Sequence, residues 1–317
     1  MASVRRKPRA VVTGGAGFIG SHVVDAFLAR EYDVLVVDDL STGTATNVAD
    51  QARLERMDIV DGEALSHAIR SFDPDVICHL AAQSSVTVSV RVPSHDLDVN
   101  VRGTLHVCEA AKEVRSPVVF ASTGGALYGD KAPIPTPEHA TAEPLAPYGA
   151  SKLAGEAYVG TWGRLRGQPN VILRLGNVYG VRQNPHGEAG VVAIFSDRLC
   201  HDRAPTVYGD GKQTRDYVHV ADVARAFLVA SEGGQAGAFN VGTGGGVSVL
   251  DLLAELQQAA GTSVAPHFEP LRAGELKRSA LDSQLIKERL GWVPTTSLEK
   301  GLADTYRWYA EAVKAAS

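Results

Sequence analysis

The sequence contains few cysteines, no long apolar run and no excess of positive charge. Its three cysteines are odd in number and far apart, which fits neither a disulfide framework nor a zinc site and favours a reducing compartment. No apolar run approaches the roughly 20 residues that span a membrane, and the basic N-terminal residues are not followed by the apolar stretch of a signal peptide. We therefore expect a cytoplasmic protein with no membrane partner.

Charge and histidine spacing argue against two further classes of protein. The chain carries 31 basic and 36 acidic residues, a net charge of −5, whereas domains that bind nucleic acid are normally basic. The ten histidines include neither an H-E-x-x-H motif nor a pair four residues apart. We expect no nucleic-acid partner and no metal site.

The 317 residues do contain a regular alternation of strand-like and helix-like segments in the first half. Strands are predicted at 10–13, 34–37, 76–80, 118–121 and 171–175, and helices at 21–30, 64–72, 99–112 and 148–166. This alternation predicts an α/β fold of the Rossmann type, a doubly wound parallel sheet with helices on both faces. The first domain would cover 1–176, with 217–246 returning to it, and a smaller, interleaved α/β lobe would comprise 177–216 and 247–317.

A glycine-rich loop follows the first predicted strand directly. Gly15, Gly17 and Gly20 match G-x-G-x-x-G, and Gly14, Gly17 and Gly20 match G-x-x-G-x-x-G. Glycines allow a tight turn and close approach of a diphosphate, and the helix that follows offers unpaired N–H groups to it. Because the loop lies between a strand and a helix, the sequence predicts a dinucleotide site.

Acidic residues end the second predicted strand. Asp38 lies 18 residues after Gly20, where a carboxylate accepts hydrogen bonds from the adenosine ribose and repels a 2′-phosphate. Residues 38–43 contain no arginine, which favours NAD over NADP. The neighbouring Asp39 is equally well explained as a solvated strand end.

Tyr148 and Lys152 are four residues apart, so a helix would place both side chains on one face. A tyrosine, with a pKa near 10, is a poor base at neutral pH, but a nearby ammonium favours the phenolate. Lowering that pKa to about 7 needs roughly 4 kcal/mol, much of which one close cation in a partly dry site supplies. Downstream of a dinucleotide loop, the pair predicts a redox enzyme.

These motifs occur in order along nearly the whole chain, together with segments at 13–22, 38–43, 57–59, 79–82, 100, 122–123, 148–152, 174–180 and 215–222. The sequence resembles an extended short-chain dehydrogenase/reductase, and within that superfamily it is most similar to the UDP-glucose (UDP-galactose) 4-epimerases. The resemblance implies an enzyme with permanently bound NAD, an isomerase that removes and returns hydride at the sugar C4. The first domain would bind NAD and the smaller lobe the nucleotide sugar.

The resemblance also assigns residues to each ligand. Tyr148 would be the base, assisted by Lys152 and by a hydroxyl from Thr123 or Ser122. The cofactor contacts would be Gly14, Gly17, Phe18, Ile19, Gly20, Asp38, Asp39, Ser41, Thr42, Gly43, Asp58, Ile59, Leu80, Ala81, Ala82, Ser84, Asn100, Ser122, Tyr148, Lys152 and Leu175. The substrate contacts would be Thr123, Tyr148, Asn177, Val191, Val192, Tyr208, Arg215, Arg272 and Glu275.

Two positions depart from the commonest family pattern. Counting back from Tyr128 places Gly124 at the catalytic hydroxyl, whereas counting back from Tyr148 gives Thr123. A glycine has no hydroxyl, so we expect Thr123 to serve, with Ser122 as the alternative. The second departure is Ser84, where many relatives have a lysine.

The substrate is expected to be a UDP- or TDP-hexose. Asn177, Arg215 and Arg272 would hold its diphosphate, for which the guanidinium group is well suited. Ser279 falls where some relatives carry a bulky tyrosine, which predicts room for an N-acetylated sugar. The family often dimerises through the helices predicted here at 99–112 and 148–166, so we expect a homodimer.

Three other functions fit these residues less well. A nucleotide-sugar 4,6-dehydratase needs acidic residues where this chain has Gly124 and Gly125. A non-catalytic NAD sensor would need neither Tyr148 nor Lys152. A 4-keto sugar reductase using NADPH conflicts with Asp38.

Overall fold

The computed structural model describes residues 6–186, 190–271 and 276–316. The first half alternates strands and helices, as the sequence predicts. Its elements are β1 (Arg9–Thr13), α1 (Phe18–Ala29), β2 (Asp33–Asp38), β3 (Arg53–Arg56), α2 (Gly62–Phe72), β4 (Val76–His79), α3 (Val86–Arg91), α4 (Pro93–Leu97), α5 (Gly103–Val114), β5 (Val118–Thr123), α6 (Pro147–Arg166) and β6 (Val171–Leu175). A π-helical turn, Asp98–Arg102, joins α4 to α5.

The second half has shorter elements. They are β7 (Asn177–Tyr179), α7 (Val191–Cys200), β8 (Thr206–Tyr208), β9 (Thr214–Arg215), β10 (Tyr217–His219), α8 (Val220–Glu232), β11 (Gly237–Val241), β12 (Val247–Ser248), α9 (Val249–Ala260), β13 (His267–Glu269), α10 (Gln284–Leu290) and α11 (Leu298–Ala316). Among the described helices, none is long and apolar enough to cross a membrane.

The central sheet has seven strands in the order β3-β2-β1-β4-β5-β6-β11. β1 pairs in parallel with both β2 and β4, and the β2–β3 and β4–β5 pairs are parallel too. The strand order therefore reverses between β1 and β4, which is the topological switch point of a doubly wound fold. The predicted Rossmann-type fold is confirmed.

The chain divides into two compact units. Unit 1 comprises Met1–Ser122, Ala146–Arg174 and Ala224–Phe239, and unit 2 comprises Thr123–Leu145, Leu175–Val223 and Asn240–Ser317. Each has its own apolar cluster, around Ile69, Ile77 and Phe120 in unit 1 and around Phe195 and Leu252 in unit 2. The division predicted from the alternation of elements differs in keeping 123–145 with the first domain, and the assignment of a ligand to each domain stays a prediction.

The sequence pattern missed several short elements. β3 reads Arg-Leu-Glu-Arg, and its charged residues suit the edge of a sheet, where one flank faces solvent. The helix predicted as continuous over 99–112 instead begins with the π-helical turn that carries Asn100. Strands of two or three residues in unit 2 are too short to show an alternation.

Candidate active site

The glycine loop follows β1 and leads into α1. Gly14 has φ +72°, and a Cβ atom there would lie 2.6 Å from the Ala81 backbone nitrogen, so this position requires glycine. Its N–H donates to the Val37 carbonyl at 2.8 Å, and the Gly17 N–H donates to the Gly14 carbonyl at 3.1 Å. The loop therefore lies against the carboxyl ends of β2 and β4, at the switch point.

The amino terminus of α1 is open to an anion. Gly17 precedes the helix in an extended conformation, and within the described residues no side chain caps it and no acidic residue occupies the first turn, which begins with Phe18 and Ile19. A Cβ atom at Gly20 would lie 2.8 Å from Gly15 Cα, so the helix packs closely on the loop. Free N–H groups and the positive end of the helix dipole at this place fit a dinucleotide diphosphate.

The two aspartates after β2 differ in role. Asp38 is buried, and its carboxylate accepts from the Ala16 N–H and the Leu40 N–H, both at 2.9 Å. Asp39 is exposed and accepts from the Ser41 N–H and hydroxyl. Asp38 thus places its charge against the glycine loop, whereas Asp39 closes the turn that follows.

The remaining predicted cofactor contacts lie at strand ends of the sheet or in loops that follow them, except Asn100, which lies in the π-helical turn before α5. A Cβ atom at Gly43 would lie 2.8 Å from the Ala16 carbonyl carbon, so residues 41–43 return to the glycine loop. Leu80 donates its N–H to the Thr13 carbonyl at 3.0 Å. The others differ in exposure: Thr42, Asp58 and Ser84 are exposed, Ala81 and Ala82 are half-buried, and Ile59, Asn100 and Leu175 are buried.

A directed chain of hydrogen bonds runs through His79 at the end of β4. The Thr13 hydroxyl accepts from the Ala81 N–H at 3.3 Å and lies 2.7 Å from His79 Nδ1, to which it donates when the ring proton is on Nε2. The Thr104 hydroxyl donates to the Asn100 carbonyl at 2.7 Å, so it accepts from His79 Nε2 at 2.9 Å. Burial, with the nearby Lys152 charge, lowers the pKa of His79 to about 3. The ring is therefore neutral and has one tautomer.

Asn100 joins this chain to the helix that carries the tyrosine. Its amide NH₂ donates to Asp96 Oδ1 at 3.0 Å and to the Ser151 hydroxyl at 3.2 Å, and its Oδ1 accepts from the Gln83 N–H at 3.0 Å. Ser151 in turn donates to the Tyr148 carbonyl at 3.0 Å. Asn100 therefore ties the start of α6 to the loop after β4.

Lys152 lies one turn after Tyr148 on α6 and is 3 % exposed, whereas Tyr148 is half-buried. The Lys152 ammonium donates to the Ala121 carbonyl at 2.9 Å and lies 4.8 Å from the centre of the Phe120 ring. Burial lowers the pKa of Lys152 to about 8, against the opposing charges of Asp96 and Glu156. A cation with limited solvation, close in sequence to a tyrosine, stabilises a phenolate more strongly than a solvated one does.

The two candidate hydroxyls at the end of β5 have different partners. Ser122 donates to Glu156 Oε1 at 2.5 Å, and Glu156 pairs with Arg174 through a 2.6 Å contact between Nη2 and Oε2. The Thr123 hydroxyl accepts from the Ala126 N–H at 3.2 Å, which leaves its proton for another acceptor. Because successive side chains of a strand point to opposite faces, the adjacent Ser122 and Thr123 side chains can have different partners.

Gly124 and Gly125 form close contacts within unit 2. A Cβ atom at Gly124 would lie 2.5 Å from Leu281 Cδ1, so a side chain there would collide with a buried leucine. A Cβ atom at Gly125 would lie 3.5 Å from Asn177 Oδ1. The glycines thus bring the chain after Thr123 close to the predicted diphosphate ligand Asn177.

The other predicted substrate residues lie on separate short elements of unit 2. Arg215 ends β9, Tyr208 ends β8, and the half-buried Val191 and buried Val192 begin α7. The Ser279 N–H donates at 3.1 Å to the carbonyl of Thr214, the residue that precedes Arg215. Arg272 and Glu275 lie outside the described residues.

Asp216, to which no role was predicted from the sequence, organises this region. Its buried carboxylate accepts from the Thr243 N–H and hydroxyl at 2.8 and 2.6 Å, and from the Gly244 and Leu281 N–H groups at 3.1 and 3.0 Å. Glu156, Arg174 and Gln83 were missed in the same way. Their roles depend on partners far away in the chain, and spacing does not reveal such partners.

Within the described part of the chain, no group of three or more histidine, cysteine or acidic side chains could hold a metal ion.

Comparison with known proteins places the chain in a family. The sequence model of the NAD dependent epimerase/dehydratase family matches residues 10–242. The UDP-glucose 4-epimerase of Mycolicibacterium smegmatis is 45 % identical over 311 residues, which cover 95 % of this chain and 98 % of that protein. Two solved UDP-glucose 4-epimerases are each 42 % identical and cover 96 % of this chain and 99 % of theirs. The enzyme of Thermotoga maritima, with UDP-glucose, has a TM-score of 0.94, and that of Thermus thermophilus, with NAD, has 0.90.

The matches to these relatives extend over nearly the full length of the chain, so they include the glycine loop, Tyr148, Lys152 and the segments of unit 2. The resemblance predicted from the sequence is thereby confirmed. The chain belongs to the NAD-dependent epimerase/dehydratase family, among the UDP-glucose 4-epimerases of the extended short-chain dehydrogenases/reductases.

Proposed function

We propose that this protein is an NAD-dependent nucleotide-sugar 4-epimerase that interconverts UDP-glucose and UDP-galactose. The observation that carries the proposal is the buried Lys152 ammonium one turn after Tyr148 on α6, in a unit whose glycine loop fits a dinucleotide. The names of the relatives, two of them solved with UDP-glucose or NAD, support the same substrate and cofactor.

In this proposal, Tyr148 removes the proton of the sugar 4-hydroxyl, because the Lys152 ammonium stabilises its phenolate. Bound NAD supplies the acceptor, and then the donor, of the hydride at C4. Gly14, Gly17 and the start of α1 would hold the cofactor diphosphate, and Asp38 would accept from the adenosine ribose. Tyr148 would also return the proton to the 4-oxygen of the epimerised sugar.

We assign the assisting hydroxyl to Thr123 rather than Ser122. The Ser122 proton is committed to the Glu156 carboxylate, a strong charge-assisted bond, whereas the Thr123 hydroxyl keeps its proton for the sugar 4-oxygen. Gly124 has no hydroxyl to offer, and a side chain at that position would collide with Leu281.

On the substrate side, we propose that Asn177, Arg215 and Arg272 bind the diphosphate and Glu275 the nucleoside ribose. Tyr208 would lie near the base, and Val191 and Val192 beside the nucleotide. The amide of Asn177 donates to phosphate oxygens, and guanidinium groups pair with them in a bidentate manner.

Elimination of water, the dehydratase reaction, is disfavoured. It needs a general acid and base beside C5 and C6 of the sugar. Gly124 and Gly125 occupy the positions after Thr123 where such carboxylates would be expected, and Leu281 leaves no room for a side chain at the first of them.

We further propose that N-acetylated hexoses are accepted, because Ser279 is small where a tyrosine would restrict the sugar 2-substituent. Ser279→Tyr should then lower kcat/KM for UDP-N-acetylglucosamine relative to UDP-glucose, by a discrimination of about 1–3 kcal/mol from the loss of space for the N-acetyl group. For UDP-glucose, kcat/KM should stay within about twofold of the unaltered protein. Initial rates of both substrates on both proteins decide the question. Equal losses on the two sugars would contradict the assignment.

We propose a homodimer that forms through α5 and α6. Tyr158 and Leu165 on α6, and Leu97 just before the π-helical turn that leads into α5, are 37 %, 69 % and 54 % exposed, so such an interface would cover apolar side chains. Light scattering on the purified protein measures the mass directly. The cytoplasmic location stays a prediction.

The activity test is to incubate the purified protein, loaded with NAD, with a panel of UDP- and TDP-hexoses and to follow products by NMR. A 4-epimer without net consumption of NAD is the expected product. A 4-keto-6-deoxy sugar would overturn the proposal, and the substrate preference would settle whether uridine or thymidine is bound.

A further inference from the structure

Three consecutive residues of β5 are engaged by one face of α6. A Cβ atom at Gly155 would lie 2.8 Å from Phe120 Cζ, so the helix approaches the strand closely at that point. Lys152 donates to the Ala121 carbonyl at 2.9 Å, and Glu156 accepts from the Ser122 hydroxyl at 2.5 Å. The turn of α6 that carries Lys152 is therefore held on β5 by a packing contact and two hydrogen bonds.

Glu156 is a buried charged residue, and packing alone does not require a charge at that position. The residue is 5 % exposed and pairs with Arg174, whose Nε lies 3.0 Å from Oε1 and whose Nη2 lies 2.6 Å from Oε2. Burying an ion pair is costly, and apolar residues of similar volume would often hold the same place as well or better. A buried charge next to a catalytic lysine is consistent with an electrostatic function.

The charged groups around Lys152 are few within the described residues. Asp96 and Glu156 are the carboxylates that raise its pKa against burial, His79 is neutral, and Arg174 is paired with Glu156. Lys152 lies over the Phe120 ring, and its ammonium hydrogen-bonds to a single backbone carbonyl, that of Ala121, within the described contacts. Glu156 is thus one of two negative charges that favour the ammonium over the neutral amine.

We propose that Glu156, which the family resemblance left without a role, is a positioning residue for the reaction. Held by Arg174, it withdraws the Ser122 hydroxyl from the substrate, fixes the Lys152 turn of α6 on β5, and supplies part of the negative charge that keeps Lys152 cationic. The inference rests on the proposed roles of Tyr148, Lys152 and Thr123. In this proposal Ser122 has a structural role beside Thr123, and Thr123 supplies the catalytic hydroxyl.

The sign of the expected effect follows from the charges. Lys152 must be an ammonium to stabilise the Tyr148 phenolate, so activity declines as pH rises through the Lys152 pKa. Removing the Glu156 charge lowers that pKa further, so the alkaline limb of kcat moves to lower pH. Removing the Arg174 charge leaves Glu156 without its compensating cation, so the limb moves to higher pH.

The test compares Glu156→Gln with Arg174→Gln. Each is expected to lose roughly 10- to 100-fold in kcat near neutral pH, because small displacements of catalytic groups have effects of that size. Their alkaline limbs should shift in opposite directions. A second readout needs no activity. In NAD-free protein labelled with ¹³C at lysine Cε, the Lys152 resonance is identified by its absence in Lys152→Met. The pKa obtained from this resonance should be lower in Glu156→Gln and higher in Arg174→Gln.

Two control variants accompany the pair. Glu232→Gln breaks an exposed arginine–glutamate pair with Arg30 and should leave the limb and the Lys152 titration unchanged. Ser122→Ala keeps the Glu156 charge, so it should lower kcat without moving the limb, and its loss should be much smaller than that of Thr123→Ala.

A Lys152 titration that moves in neither variant, or in the same direction in both, would overturn the proposal and leave Glu156 a purely structural residue. If one variant does not fold, the direction of the shift in the other decides. Absence of epimerase activity in the unaltered protein would instead refute the proposed function, and the titration in NAD-free protein would still test the inference.

Discussion

The two compact units bury a carboxylate beside their proposed ligand residues, and they satisfy it in different ways. In unit 1, Glu156 is paired with the Arg174 cation and accepts one hydroxyl, from Ser122. In unit 2, Asp216 accepts four neutral donors, of which three are backbone N–H groups of Thr243, Gly244 and Leu281. The first arrangement acts on a neighbouring charge, whereas the second holds loops together.

The difference matches the task proposed for each region. In a proton-transfer site, the surrounding charges determine the protonation states of Lys152 and Tyr148. An ion pair contributes a charge to that balance that depends on both of its partners. A site for a nucleotide diphosphate needs arginines in place on loops, and a carboxylate that accepts backbone N–H groups organises loops without pairing with Arg215. The comparison therefore predicts that substitutions in unit 1 change kcat and its pH dependence, and that those around Asp216 change stability and KM.

The largest expected effect is at Tyr148, the residue that the unit 1 network serves. Tyr148→Phe removes the base and should lower kcat about 10²- to 10⁴-fold, the usual range for general acid–base catalysis. Bound NAD per chain and the thermal unfolding midpoint should stay near those of the unaltered protein, since the ring remains. Steady-state rates and absorbance of released NAD measure the turnover and the bound cofactor; a loss of less than about tenfold in kcat would be incompatible with Tyr148 as the base.

Asp216→Asn tests the other side of the comparison. The amide offers one accepting oxygen and turns an NH₂ group toward two N–H donors, so we expect a loss of about 3 kcal/mol in unfolding free energy, in the range for hydrogen bonds to a charged group. KM for UDP-glucose should rise more than kcat falls. The matched control is Asp251→Asn in the same unit, an exposed aspartate bonded to Ser248 that should cost under about 0.5 kcal/mol.

Urea unfolding of both variants provides the free energies. Similar losses for Asp216→Asn and Asp251→Asn would show that the buried carboxylate does not hold its loops. A large fall in kcat with unchanged KM would remove the distinction between the two regions.

A smaller effect is expected from His79, which is buried and uncharged in unit 1. Its pKa is about 3 in the folded chain and about 6.5 when unfolded. As pH falls from about 7 to about 5, only the unfolded chain takes up this proton, so the residue makes stability decrease by about 2 kcal/mol over that interval. His79→Gln lacks this proton and should lose correspondingly less between the two pH values. Parallel losses in urea unfolding of both proteins would mean that His79 is not neutral in the fold.

Much of the fold and of the cofactor side was predictable from local signals. The glycine loop follows β1, Asp38 ends β2, and Tyr148 and Lys152 lie in the first two turns of α6, so each is marked by a local pattern in the sequence. The pairing of Glu156 with Arg174, and of Asp216 with Thr243 and Leu281, could not be predicted. Those contacts join residues 18 to 65 positions apart through packing, for which one sequence carries no periodic signal.

The choice between Ser122 and Thr123 had the same origin. Counting from Tyr128 gives Gly124 and counting from Tyr148 gives Thr123, and the sequence alone does not separate Thr123 from the adjacent hydroxyl of Ser122. The partner of each hydroxyl distinguishes them, because Ser122 donates to Glu156 and Thr123 accepts from the Ala126 N–H.

The most direct test of the central claim follows the hydrogen at C4. NAD-loaded protein is incubated with UDP-galactose carrying deuterium at C4, and the product is examined by NMR and mass spectrometry. We predict UDP-glucose of unchanged mass with the deuterium still at C4 and no accumulation of NADH. Deuterium found at C6 with loss of water, or lost while NADH accumulates, would contradict the account.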